Sequence, residues 1–255
     1  MLDTDSRRSI TMRRGFYVAT AVLIAGIAVA GFWPTYWGPF FSGTLDKHWL
    51  LHLHAGVFTV WLLLLITQTG LVRRGRTDLH QKLGAALGSW WGALLVVVGL
   101  STAVGVASPG IGEEFNSLQA FIESLGTTLP SISAFGVLFA AGIAYRKRPA
   151  AHKRLMVFAT LVLLDAATAR LGPNLLGMSS PGMIALIGLG VPAGLGLSVL
   201  GHDWWTRRRI HPASLVGGGI LLLSESRLFL IRSDAWTEFS GETAATLRSV
   251  LLPLM

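Results

Sequence analysis

The sequence predicts an all-α membrane protein whose chain crosses the bilayer seven times. Hydrophobic residues make up 52% of the 255 residues and charged residues only 13%, whereas soluble domains average about 25% charged residues. The mean hydropathy is +0.58. The apolar residues are concentrated in runs of roughly 18 residues or more, a length that crosses a bilayer as a helix. No change of composition divides the chain, so residues 1–255 are expected to form a single transmembrane domain.

Seven apolar segments can be drawn between the polar stretches and those rich in glycine and proline. They are 15–33, 48–72, 80–107, 128–145, 152–171, 181–201 and 212–231. The first segment runs into GFWPTYWGPF without a small-residue cleavage site, so we interpret it as a retained span and not as a signal peptide. Outside the spans we expect a basic cytoplasmic segment at 1–14 and a short external amphipathic helix at 238–255.

The basic residues predict the direction in which the chain is threaded through the membrane. An alternating seven-span topology places most of the 21 Lys and Arg residues on one side. They are Arg7, Arg8, Arg13, Arg14, Arg73, Arg74, Arg76, Lys82, Arg146, Lys147, Arg148, Lys153, Arg154, Arg207, Arg208 and Arg209. Because basic loops stay in the cytoplasm, the N-terminus is expected inside and the C-terminus outside. The net charge of +8 is therefore a topology signal and does not indicate nucleic-acid binding.

A short motif occurs twice in full and once in part. The sequences GRTDLHQKLG at 75–84 and RPAAHKRL at 148–155 share Arg, three residues, His, one residue, a basic residue and Leu. RRRIH at 207–211 is a partial copy. On the seven-span topology, each motif places a His at the cytoplasmic start of a helix that runs outward. The three pairs are Arg76 with His80, Arg148 with His152, and Arg207 with His211.

Three interpretations of these motifs are open. A repeated topology by itself requires repeated Arg-rich loops that start helices, with His tolerated at the interface. Helix N-termini and Arg side chains also attract anions. The candidates for binding anionic lipid headgroups are therefore Arg76, Arg148, Arg207 and His211. In the third interpretation His80 and His152 bind haem or another metal, because imidazole is a common ligand of haem iron, zinc and copper.

Ionisable residues also lie deep within the predicted spans, where inserting each of them costs about 2.5–3.5 kcal/mol. The residues in question are His52, His54, Asp165, Arg170, Glu225 and Arg227. At ~1.5 Å per residue, His54, Asp165 and Glu225 all fall about 20 Å from the cytoplasmic edge of a ~30 Å hydrocarbon core. Three helices are therefore expected to bring titratable groups to one depth.

Ion pairing is one role for these deep residues. Asp165 and Glu225 would then pair with Arg170 and Arg227 and hold helices together. A proton or ion path is another role, and in that case Gln68 continues the polar line toward the cytoplasm.

A metal centre is the third role. His52, His54, Asp165 and Glu225 carry the nitrogen and oxygen ligands that a divalent ion such as zinc, copper or iron accepts.

Three sequence blocks, in order, resemble a family of uncharacterised bacterial multi-span membrane proteins. The blocks are HLHAGVFTVWLLL, GRTDLHQKLG and AHKRLMVFATLVLLDAATAR, and the likeness extends over 48–215. In that family an HLH-type span precedes a GR-DLH–LG loop and an AHKRLM-type loop. The resemblance implies a multi-pass protein of the bacterial inner membrane and no particular activity. A second likeness, to cytochromes of the b561 kind, implies at most one haem, held by His80 and His152.

The function predicted from these features is a membrane redox or metal-handling role. The protein would bind haem b or a divalent metal through His and carboxylate side chains. The alternatives are a proton-coupled transporter that uses Asp165, Glu225 and Arg227, and a non-catalytic accessory subunit. No Walker loop, Rossmann glycine pattern or H-E-x-x-H motif occurs, and Cys is absent. The expected partners are anionic lipid headgroups on the cytoplasmic side and another membrane protein or a second copy of the chain.

Overall fold

The computed structural model of the chain describes residues 4–105, 118–178, 180–227, 231 and 233–251. Within these residues the regular secondary structure is entirely helical, so the predicted all-α class is confirmed there. The helices are α1 (Thr4–Phe32), α2 (Gly38–Ser42), α3 (Trp49–Arg73), α4 (Thr77–Leu83), α5 (Ser89–Gly105), α6 (Leu118–Ala144), α7 (Pro149–Leu161), α8 (Asp165–Leu176), α9 (Pro181–Arg207), α10 (Pro212–Glu225) and α11 (Asp234–Leu251). The side chains of the basic segment 1–14 and the final residues 252–255 of the predicted amphipathic helix lie outside the described part.

Five helical stretches in the described chain are long and apolar enough to cross a membrane. They are Gly15–Ser42, Trp49–Arg73, Thr77–Gly105, Leu125–Ala144 and Gly182–Arg207. Together α7 and α8 make a sixth only as one bent span, because their axes meet at 42°. The predicted seventh span corresponds to α10, whose 14 residues extend about 21 Å and are too short for a ~30 Å core. The protein is thus a multi-pass type with five or six candidate spans.

Each of the three repeated motifs stands where a helix begins. Helix α4 starts one residue after Arg76, and α7 starts one residue after Arg148, with Pro149 in the first turn. His211 is the residue before α10, and its Nδ1 accepts a hydrogen bond of 3.0 Å from the backbone N–H of Ala213. The motif therefore marks helix starts, and at α7 and α10 a Pro in the first turn suits this position.

The core of the bundle is built around α7. Between Arg154 and Val162, every residue except Met156 is buried. On the neighbouring α3, the indole N–H of Trp61 donates to Thr160 Oγ1 over 3.2 Å. Because α7 is enclosed on all sides, any polar group that it carries must find its partner inside the protein.

The outward faces of the helices are apolar. Leu197 on α9 is 67% exposed, and Leu223 on α10 is 71% exposed. In water such a surface would favour aggregation, whereas lipid chains solvate it. The exposed leucines therefore agree with a membrane location.

Candidate functional site

A buried ionic cluster joins α6, α8 and the residues at the end of α10. Arg227 forms an ion pair with Asp165, and its guanidinium lies 3.2 Å from Glu225 Oε2. Ser131 on α6 donates a hydrogen bond of 3.2 Å to Asp165 Oδ2. The three charged side chains are at most 10% exposed. We call these four residues the Asp165 cluster.

The Asp165 cluster lies beside the break between two helices, the end of a third and a proline within a fourth. Helix α7 ends at Leu161, and the new helix α8 begins with Asp165 itself. Helix α6 contains Pro130 next to Ser131. Helix α10 ends at Glu225. Broken helices expose backbone groups that lipid cannot satisfy, so they are tolerated at membrane depth only where protein or a cavity surrounds them.

The two carboxylates of the cluster, Asp165 and Glu225, differ in their hydrogen bonds. Asp165 accepts hydrogen bonds from both Arg227 and Ser131. Both oxygens of Glu225 are buried and have no hydrogen-bond partner among the described residues, although Oε2 is within ion-pair distance of Arg227. The contact of Glu225 with Arg227 is therefore electrostatic and lacks the alignment of a hydrogen bond.

Arg170, which was predicted as a second ion-pair partner, does not join the cluster. Its guanidinium donates to the backbone oxygen of Ala166 over 2.6 Å and lies 4.8 Å from the ring centroid of Phe32. Within the described chain, Arg227 is thus the one cation in ion-pair contact with the two carboxyls. With both carboxyls ionised, the cluster carries one negative charge in excess.

The structure does not assemble the predicted metal centre. His52 Nδ1 lies 3.1 Å from the hydroxyl of Tyr36, and His54 Nδ1 lies 3.2 Å from Thr102 Oγ1. In the described part of the chain, no group of three or more His, Asp or Glu side chains is placed to hold a metal ion. The ligands predicted from the sequence for this centre were His52, His54, Asp165 and Glu225. The number of residues along a helix predicts how deep a side chain lies in the membrane, but it does not predict the direction in which that side chain points.

His80 and His152 come together near the start of α4 and α7. Their ring centroids are 6.1 Å apart, and the rings are nearly perpendicular. His152 Nδ1 lies 2.8 Å from the backbone oxygen of Gly142, to which it donates. Gln68, with its amide nitrogen facing α4, donates to His80 Nδ1 over 2.7 Å. Both rings are thereby held in place, with Nε2 left outside these bonds.

The four residues predicted to bind anionic headgroups lie in different surroundings. Arg76 and Arg148 are exposed at the surface, and the guanidinium of Arg148 lies over the ring of Tyr145. Arg207 and His211 instead line a common cavity.

A second buried ion pair was missed by sequence reasoning. Arg154 on α7 pairs with Asp203 on α9, and both side chains are at most 1% exposed. Arg154 Nε donates to Asp203 Oδ2 over 2.9 Å. Ser214 on α10 donates to the same oxygen over 2.5 Å, so three helices meet at this carboxylate. One sequence feature could have identified this pair: Asp203 is the only acidic residue in the sixth predicted span and the turn that follows it.

Comparison of the chain with protein-family models, with curated proteins and with solved structures found no match.

Proposed function

We propose that this chain is a membrane carrier that moves protons, alone or coupled to a solute, through the Asp165 cluster. The observation that supports this function is that two buried carboxyls meet beside the break between α7 and α8, the end of α10 and the proline within α6. Membrane transporters commonly bind their ions at discontinuous helices within the bilayer. Ionisable groups at this depth are costly enough that a functional role is the default hypothesis.

The geometry favours Glu225 as the group that takes up the proton. Arg227 keeps its ion pair with Asp165, while a proton on Glu225 removes the excess negative charge of the cluster. Release of the proton restores a second carboxylate, which competes with Asp165 for the same guanidinium. A change in the protonation of Glu225 would thus directly change the strength of the ion pair between Asp165 on α8 and Arg227 after α10.

Polar side chains support a route from the cluster toward the opposite face. Thr160 on α7 accepts from Trp61 in the middle of the bundle. Farther toward the start of α7, Gln68 on α3 donates a hydrogen bond to His80 on α4, and the ring of His152 on α7 lies beside that of His80. Side chains of this kind are able to order water or pass protons between membrane depths.

The proposal includes seven crossings, with the N-terminus in the cytoplasm of a bacterial inner membrane. The asymmetric basic loops support this orientation. In this topology the predicted segment 212–231, which begins with α10, is the seventh crossing; its residues 228–230 lie outside the described part.

Proton flux into proteoliposomes that contain the purified protein tests the proposal. Glu225→Gln keeps the size of the side chain but cannot carry a proton, so we expect it to abolish flux measured with an internal pH dye. Glu238→Gln on the exposed face of α11 is the matched control and should leave flux unchanged. Equal flux in the wild type and a folded, monodisperse Glu225→Gln variant would contradict the proposal.

The proximity of His80 and His152 favours a second candidate function, in which the two imidazoles bind haem or a divalent metal. A carbonyl oxygen that holds Nδ1–H, as Gly142 does for His152, orients Nε2 for a metal. For Nε2 of His80 to bind the same metal, the amide of Gln68 would turn so that its oxygen accepts the Nδ1–H of His80. A haem absorption band or stoichiometric zinc, copper or iron that is lost in His152→Ala would support this function. Purified protein with neither would remove it.

A further inference from the structure

A cationic cavity lies in the loop between α9 and α10. Its volume is about 410 Å³, and its lining consists of Arg207, Arg209, Ile210, His211 and Pro212. The cavity is distinct from the Asp165 cluster and plays no part in the proposed proton transfer. Its lining combines two guanidinium groups with an imidazole.

Buried side chains hold the loop around the cavity in shape. Arg208 takes a left-handed backbone conformation with φ of 55°, which turns the chain sharply after α9. The carboxylate of Asp203 accepts from the backbone N–H of His211 over 3.3 Å and from Ser214 over 2.5 Å. Because Asp203 is itself fixed by Arg154, both ends of the loop are anchored to the buried ion pair.

Among the residues that the structure describes, no carboxylate forms an ion pair with the two arginines of the cavity. Asp203 is the nearby carboxylate, and its partner is Arg154. Within the described chain, neither Arg207 nor Arg209 makes an ion pair. Both side chains are exposed. Two guanidiniums are thus available for an anion, and such planar forks match the oxygens of a phosphate group.

His211 adds a neutral donor to the two cations. Its Nδ1 accepts the N–H of Ala213, so the ring proton is on Nε2. Burial, followed by the positive charges of Arg154 and Arg207, lowers the pKa of His211 below its usual range. At neutral pH the imidazole therefore contributes an N–H group without adding a third charge.

Exposed tryptophans place the cavity at the level of lipid headgroups. Trp204 is 58% exposed and Trp205 is 80% exposed, and both lie in the last turn of α9. Trp side chains concentrate at the boundary between the hydrocarbon core and water. A phosphate that reaches the cavity at this level can belong to a lipid whose acyl chains lie along the apolar faces of the neighbouring helices.

We propose that the cavity formed by Arg207, Arg209 and His211 binds the phosphate of an anionic phospholipid. A zwitterionic lipid carries its own cationic group near the phosphate, and that group is repelled by the two arginines. The site therefore selects phosphatidylglycerol over phosphatidylcholine.

Three neighbouring arginines provide the test. Arg207→Gln, Arg208→Gln and Arg209→Gln remove the same charge at adjacent positions, but Arg208 does not line the cavity. The binding of phosphatidylglycerol to the purified full chain is measured by native mass spectrometry in detergent, with phosphatidylcholine as the reference lipid. We expect about tenfold weaker binding of phosphatidylglycerol for the variants at 207 and 209, the loss of a charge-assisted contact, and less than about twofold for Arg208→Gln.

Equal losses in all three variants would overturn the site, since they indicate diffuse attraction by the basic loop. Equal binding of both lipids to the wild type would also overturn it. A second arm adds inorganic phosphate at a large excess over the lipid. If phosphate displaces phosphatidylglycerol, and if the variants at 207 and 209 change this displacement while Arg208→Gln does not, the cavity is a site for free phosphate and the lipid assignment is overturned. Retention of the lipid in excess phosphate supports the lipid assignment.

Discussion

Among the described residues, the buried guanidiniums of Arg154 and Arg227 pair with carboxylates from distant parts of the chain. Arg154 meets Asp203 across 49 residues, and Arg227 meets Asp165 across 62. Removing one partner of a buried pair leaves an uncompensated charge, which costs about 3–5 kcal/mol. Such pairs are therefore sensitive points of the fold even where their net contribution to stability is small.

Replacing Asp203 should destabilise the protein more than replacing both partners. For Asp203→Leu we expect a loss of about 3–5 kcal/mol in the free energy of unfolding, because Arg154 stays buried without a counter-ion. The double variant Arg154→Met/Asp203→Leu should recover most of this loss. Unfolding in mixed detergent micelles, followed by circular dichroism, measures both. A double variant less stable than the single one would contradict the explanation.

Single residues also show the limits of sequence reasoning. Charge and spacing identified Asp165, Glu225 and Arg227 as deep polar residues, since each interrupts an apolar run. Charge and spacing did not distinguish Arg154 from the other basic loop residues, because the sequence HKRL at 152–155 is typical of a cytoplasmic loop. The difference between the half-buried Lys153 and the fully buried Arg154 depends on which helices pack against the start of α7, and that is a tertiary property.

Close helix approaches depend on particular glycines. On α1, a methyl group at Gly31 would collide with the backbone oxygen of Ala167 on α8, whereas one at Gly26 would meet no heavy atom of the described residues within 4 Å. Backbone atoms cannot move aside as a flexible side chain can. Gly31 is therefore the residue that sets the distance between α1 and α8.

The substitution Gly31→Ala should lower the free energy of unfolding by about 1–3 kcal/mol, the usual cost of overpacking. Gly26→Ala lies on the same helix and adds the same methyl group, so it serves as the control and should not destabilise. Thermal unfolding of the two variants in one detergent gives the comparison. Equal midpoints would show that α1 can shift away from α8 without cost.

At the scale of elements, hydrophobic run length predicted most helices but not their interruptions. The break between Leu161 and Asp165 falls within LVLLD, which contains no Gly or Pro. Local propensity favours a continuous helix there, so the break reflects the contacts of Asp165 with Arg227 and Ser131. Predicting it would require knowledge of those partners. Gly190 and Gly194 on α9 show the opposite case. Small residues four apart are typical of close helix packing, but a methyl group added at either position would meet no heavy atom of the described residues within 4 Å.

The number of crossings is a property of the whole molecule, and the absence of Cys makes it measurable. An introduced Cys would be the only thiol in the chain. With seven crossings, Thr44→Cys and Glu242→Cys should react with a membrane-impermeant reagent added outside, and Lys147→Cys only after the membrane is opened. With six crossings, Glu242→Cys would be protected like Lys147→Cys. Labelling of Thr44→Cys and Lys147→Cys from one side would contradict the alternating topology itself.

The long-range pairing of Asp165 with Arg227 has a consequence for biosynthesis. When α8 leaves the ribosome, the residue that will neutralise its first carboxylate has not yet been translated. The nascent chain must therefore keep α8 near the translocon, or with water around Asp165, until α10 has arrived. In a chain released before residue 227, Asp165 at the start of α8 would have no arginine to pair with, so α8 could not pack stably against its neighbours. Such a chain would be a substrate for the quality-control proteases of the membrane.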